Sequence, residues 1–209
     1  MKVKKIDMTG RTLEEVFATI TPTKIACCNW KEEYPYAPDV EFRLFHTGSH
    51  LHVRFDVTEQ YTVARIAEDN GDVWTDSCCE FFFSLDGEKY YNVETNCIGR
   101  MLIGHYTAPK ENLIRAGEEI LSQVQRITSL GTEPFGEREG DNSWSLMLSL
   151  PTAVFHQDDI KSWDGLRLKA NLYKCGDGLT KPHYLSWLPI DTPQPNFHCP
   201  PYFGDLEME

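Results

Sequence analysis

At 209 residues, with 41% hydrophobic and 12% aromatic side chains, the chain is long enough to bury a sizeable core and short enough to do so as one domain over 1–209. Asp and Glu number 32 against 20 Lys and Arg, and the net charge of -12 argues against duplex nucleic acid and anionic membrane surfaces, which reward the opposite sign. Seven cysteines, an odd count without a CxxC spacing, exclude a fully paired disulfide framework and argue against structural zinc; buried free thiols are expected.

The N-terminal "MKVKKIDMTG" starts basic but has no apolar core after it, so it is not an intact signal peptide, and no later apolar run approaches a membrane span. The expectation is a cytoplasmic protein, or one that begins after a removed export signal. Thr12 can cap a short helix over "LEEVFATI", with Glu15 at the reciprocal capping position. Alternation then takes over. "HLHVRFDV" sets Leu51, Val53, Phe55 and Val57 on one face and His50, His52, Arg54 and Asp56 on the other. "CCEFFFSL" runs into a turn at Asp86-Gly87, and "YYNVETNC" alternates Tyr91, Val93, Thr95 and Cys97 against Tyr90, Asn92, Glu94 and Asn96. A short strand is expected from Arg100 to Tyr106, and one helical turn or more between Pro109 and Gln125. Strands follow over Ser143–Leu150, stopped by Pro151, and Leu166–Tyr173, where Leu166, Leu168, Ala170 and Leu172 oppose Arg167, Lys169, Asn171 and Tyr173. Short strands divided by Gly, Pro, Asn and Asp clusters predict an all-β fold, a two-sheet antiparallel β-sandwich with a few short helices.

The polar faces of these strands carry amides, acids, bases and histidines together, a mixture that both donates to and accepts from hydroxyl groups. A sugar ring needs such groups for its hydroxyl rim and an aromatic ring for its apolar C–H face. Trp74, after "EDNGD", and Trp187, beside "LPIDTPQPNF", are expected on loops with part of their rings exposed, whereas Trp144 alternates with leucines and belongs in the core. Glu80 and Glu94 form a candidate acid/base pair of the glycosidase kind. Asp56, Asp69, Asp72 and Asp76 offer oxygen ligands to calcium, without an EF-hand loop. No P-loop, GxGxxG or GxSxG occurs.

"VWTDSCCEFFFSLDGEKYYNVETNCIG" resembles the family 9 carbohydrate-binding modules, which belong to the DOMON-like β-sandwiches. The family's W-x-D-S-x-E-x-F pattern is met by Trp74, Asp76, Ser77, Glu80 and Phe82, with one extra residue before Glu80. Its following tyrosine-rich strand is met by Tyr90, Tyr91, Glu94, Asn96 and Gly99, and the closing "PHYLSWLPIDTPQPNFHCPPYFGDLEM" is similar too. The resemblance implies a bacterial module that binds a mono- or oligosaccharide without catalysis, in polysaccharide utilisation. It places the sugar between Trp74 and Trp187, over Glu80, Glu94, Asn96 and Asn171. It implies no cofactor, though structural calcium accompanies many family members, and it leaves the oligomeric state open. The alternative is a glycoside hydrolase or lyase of sandwich fold using Glu80 and Glu94.

Overall fold

A computed structural model describes residues 1–209. Its strands in chain order are β1 (Lys2–Val3), β2 (Thr23–Lys24), β3 (Asp39–His46), β4 (His50–Ala64), β5 (Cys78–Ser84), β6 (Lys89–Asn96), β7 (Met101–Thr107), β8 (Glu111–Arg115), β9 (Gln125–Thr128), β10 (Phe135–Pro151), β11 (Arg167–Cys175), β12 (Tyr184–Ser186) and β13 (Gly204–Met208). The two α-helices are single turns, α1 (Leu13–Phe17) and α2 (Glu118–Leu121). Thr12 and Glu15 close the expected capping box on α1, each accepting from the other's backbone N–H. No helix is long and apolar enough to cross a membrane.

Two sheets face each other. One has the order β1-β13-β11-β5-β6-β7-β8, with β12 also on β11, and the other the order β2-β3-β4-β10-β9. Pairing is antiparallel throughout except between β1 and β13. The inward sets of the sequence alternation form the main core: Leu51, Val53, Phe55 and Val57 from one sheet meet Phe81, Phe83, Val93, Ala170 and Leu172 from the other. Trp144 and Trp163 lie in this core as well.

Several elements differ from the sequence expectation. β4 continues past Val57 to Ala64, and β10 begins at Phe135 and takes in Pro151 as its last residue. Two register shifts interrupt the long β4–β10 ladder, one between Phe135 and Arg138 and one between Glu139 and Asn142, which polar residues and glycine disguise as loop in the sequence. The segment 109–125, expected to hold one helical turn or more, holds one in α2, preceded by the edge strand β8, which the sequence reading did not anticipate. All seven cysteines are free thiols.

The largest difference concerns the outward faces. The outer face of the first sheet carries a second aromatic cluster, including Phe82, Tyr90, Tyr106 and Tyr173, roofed by Phe197 and Phe203 of the closing segment. Tyr173 and Phe197 stack with ring centroids 4.1 Å apart and planes 6° apart. The outer face of the other sheet is partly covered by α1, through Val16 and Phe17 against Phe45 and Met147. His52, Arg54 and Asp56 therefore stand on the far side of the molecule from Glu80 and Glu94. The polar faces that resembled one another in sequence do not form one surface.

Candidate functional site

β5 and β6 pair so that Glu80 lies directly opposite Glu94, and Tyr173 of β11 opposes Glu80 on its other side. Both glutamates share the outward face with Phe82 and Tyr90, because side chains two apart on a strand point the same way. Directly opposed positions hold their Cβ atoms roughly 5 Å apart, so the two carboxyl groups form one unit. They make the floor of a cavity of about 470 Å³, a size in the range of small-ligand sites. Trp74 walls one part of this cavity, Tyr184, Phe197 and His198 another, and Tyr106 and Leu102 the flank. Lys110 and Arg115, at the two ends of the edge hairpin that carries β8, bring positive charge to an exposed rim.

Local bonding explains how the motif residues build this floor. The Asp76 carboxylate accepts the backbone N–H groups of Arg65 and Ile66, each at 2.9 Å, and the Asn96 amide at 3.0 Å. Ser77 Oγ accepts the N–H of Val63 at 3.2 Å. These bonds tie the start of β5 to the end of β4. They also hold the 3-10 turn Val73–Thr75, from which Trp74 projects, against the loop after β11, where Asp177 N–H donates to Trp74 O at 3.2 Å. Gly99 turns the chain at φ +84, a left-handed conformation that a side chain would strain.

Glu80 is 3% exposed and Glu94 5%. Glu80 Oε1 accepts the Cys175 thiol at 3.0 Å, and Glu94 Oε1 accepts the Asn92 amide at 2.6 Å. Neither carboxyl takes a further hydrogen bond, and neither pairs with a Lys, Arg or His, so each keeps an oxygen for the cavity. Burial, and then the neighbouring Glu94, hold Glu80 well above the usual carboxylate range. Burial raises Glu94 as well, with the Asn92 amide, Lys110 and Arg115 acting against it. Asp177 is exposed at the cavity mouth, yet its carboxyl lines the concavity and is pushed up to about 6 by burial. His198 is held neutral, its basicity lowered to about 3 by burial.

Of the six residues singled out in the sequence, the cavity brings together Trp74, Glu80 and Glu94. The other three are engaged elsewhere. Asn96 bridges Asp76 and the backbone of Ile66 and Arg100. Asn171 staples the closing segment, donating to Leu188 O and Tyr202 O and accepting from Leu188 N–H. Trp187, half-buried, packs against the main core, edge-on to Phe42 with centroids 5.6 Å apart. The reason is parity: Trp187 follows Leu185, which is buried in the core, by two residues, so both point inward while Tyr184 points to the cavity. Sequence reasoning missed Tyr106, Lys110, Arg115, Tyr184, Phe197 and His198. The signal present was "EFFF" itself, since a strand with phenylalanines at consecutive positions is apolar on both faces and must be covered on both.

Metal ligands are sparse. Cys78 Sγ, a Glu80 oxygen and Cys175 Sγ lie within 4.8 Å of one another, a soft donor set unlike the all-oxygen shell of calcium. Three of the four aspartates considered for calcium are occupied separately: Asp56 pairs with Arg43 and Arg54, Asp69 with Arg126, and Asp76 with backbone amides.

Comparison with known proteins settles the family. The model of carbohydrate-binding family 9 matches residues 12–208. The chain belongs to carbohydrate-binding family 9. A Bacteroides uniformis protein, provisionally assigned as carbohydrate-binding, is 42% identical over all of this chain and 98% of its own, with a TM-score of 0.93. Two structures of a family 9 module from Caldicellulosiruptor kristjanssonii share the fold at 10% identity. Its glucose complex has a TM-score of 0.56 over 95% of that chain, and its cellotriose complex 0.59 over 93%, each covering all of this one. Among curated proteins, none matches the chain.

Proposed function

We propose that this family 9 member binds a mono- or oligosaccharide, without cleaving it, in the cavity floored by Glu80 and Glu94. The observation that carries this reading is the pair of free carboxyl oxygens turned into an aromatic-walled cavity, which suits hydroxyl donors below and a C–H face beside them. Trp74 is the stacking wall in this proposal. Tyr184 and Phe197, rather than Trp187, are its counterpart, because Trp187 packs against the main core and does not line the cavity. Asn96 and Asn171 position the strands that carry the site. The membership in a carbohydrate-binding family supports the class of ligand, and the glucose and cellotriose bound by the Caldicellulosiruptor modules are the first probes to try.

The opposed glutamates also suit an acid/base pair, and one experiment separates the two roles. Calorimetric titration with cello-oligosaccharides, run beside an assay for released sugar, is expected to give binding and no product in the wild type. Trp74→Ala and Glu80→Gln should each weaken binding about tenfold or more, the scale of a lost stacking or charge-assisted contact. Product formation that Glu80→Gln abolishes while binding persists would replace the binding role by catalysis.

A further inference from the structure

The floor of the cavity is acidic in a way that a neutral sugar does not answer. Glu80 and Glu94 face each other from directly opposed strand positions, at least nine-tenths buried, with one unpartnered oxygen each. Asp177 adds a third carboxyl at the mouth. The two nearby cations, Lys110 and Arg115, are exposed on the rim and form no ion pair with any of the three. Elsewhere this molecule treats a buried carboxylate differently: Glu59, fully buried, is matched by Lys174 at 2.9 Å. A buried anion without a partner is costly, and two facing each other are more so.

We propose that the ligand supplies the missing charge, and that the preferred ligand is an amino sugar, a hexose unit whose protonated amine sits between Glu80 and Glu94 while its ring packs on Trp74. This rests on the carbohydrate-binding reading of the cavity and specifies it. An ammonium group offers three N–H donors and one positive charge to two carboxyls that have two free oxygens between them. The aromatic walls suit the same group, since Trp74, Tyr184 and Phe197 present π-faces to a cation as readily as to a C–H face. The exposed Lys110 and Arg115 then orient the ligand, because they disfavour an amine at the rim and leave the floor as its place. N-acetylation removes the charge and adds bulk, so acetylated sugars lose the advantage.

The test is calorimetric titration of the wild-type protein with glucose, galactose and mannose, each against its 2-amino and 2-acetamido counterpart, at neutral pH, where the floor carboxyls can give up a proton to pair with the amine. A chelator is included so that no divalent ion held near Cys78, Glu80 and Cys175 stands in for the amine. At least one amino sugar is expected to bind about tenfold or more tightly than both its parent and its acetylated form, the difference between a charged and a neutral hydrogen-bond partner. That preference should shrink with added salt and approach unity in Glu94→Gln. Equal or weaker binding of every amino sugar, with the neutral sugars still bound, would overturn this inference and leave the carbohydrate-binding reading standing. Binding of no sugar at all would overturn both.

Discussion

The Glu94 carboxyl makes the energetics of the site measurable at the scale of one residue. Burial lifts it from 4.5 to about 7, against the pull of the Asn92 amide, Lys110 and Arg115. Between those values the folded protein keeps a proton that the unfolded chain has released, so stability falls as pH rises through the window and is highest below it. Glu80, raised for the same reason, acts in the same direction. The urea midpoint of the ligand-free wild type is therefore expected to drop from the acidic to the alkaline side of this window, and Glu94→Gln should flatten the drop. Parallel profiles for the two proteins would show that the carboxyl is not its source. A second residue-scale prediction concerns the tryptophans. Trp187→Ala should destabilise toward the low end of roughly 3–5 kcal/mol, because the ring is only half-buried, and leave sugar affinity within a few-fold of wild type. A large affinity loss at unchanged stability would return Trp187 to the site. The cavity positions of Trp74 and Glu80 were legible in the sequence because a motif and a strand parity coincided there; the inward packing of Trp187 was not, because a tryptophan beside prolines looks the same whether its strand faces in or out.

At the scale of elements, the strand ends were the least legible part, and they hide a bridge between the sheets. The alternation of β4 continues through Val57 to Glu59, and that of β11 through Leu172 to Lys174, so both charges point into the sandwich. There Lys174 Nζ lies 2.9 Å from Glu59 Oε2 and 2.8 Å from His183 Nε2, and it donates to Cys175 O at 2.8 Å. Trp144 Nε1–H donates to the other Glu59 oxygen at 2.8 Å. Burial holds His183 far below its ordinary pKa, so its neutral ring accepts from the lysine. Burial is the largest single influence on Lys174 and works against its charge too, but Glu59 together with Cys79 and Cys175 outweighs it and the amine stays protonated. Stopping the sequence strands at Val57 and Tyr173 left this pair invisible. Lys174→Met should cost roughly 3–5 kcal/mol, since it strands a buried carboxylate. Lys174→Met combined with Glu59→Leu should recover much of that loss, short of all of it because Trp144 then lacks its acceptor. Simple additivity of the two single losses in urea unfolding would dissolve the pair.

At the scale of the whole molecule, sandwich class and core were readable because period-two alternation survives in any single strand, whereas the side of the sandwich to which a polar face belongs depends on which strands pair. Sheets pack about 10 Å apart, so β4 and β5, both with mixed polar faces, present them on opposite sides of the protein with the core between. The β4 side has its own shallow polar groove of about 410 Å³, lined by Asp39, Glu41, Arg54 and Asp56 among others. Its charges already satisfy one another: Arg54 makes a two-pronged contact with Asp56, which also accepts from Arg43, and Lys24 pairs with Asp39 and Glu41. A groove whose charges are matched internally has less to gain from a ligand than a floor with two unpaired carboxyls. Arg54→Gln is accordingly expected to leave sugar affinity unchanged within error while Glu80→Gln lowers it about tenfold. The two substitutions should be titrated with the same sugar in the same buffer, with melting curves recorded for both. A native-like Arg54→Gln protein that loses affinity beside a Glu80→Gln protein that keeps it would move the site across the sandwich to the β4 groove, and the acidic floor would then need another explanation.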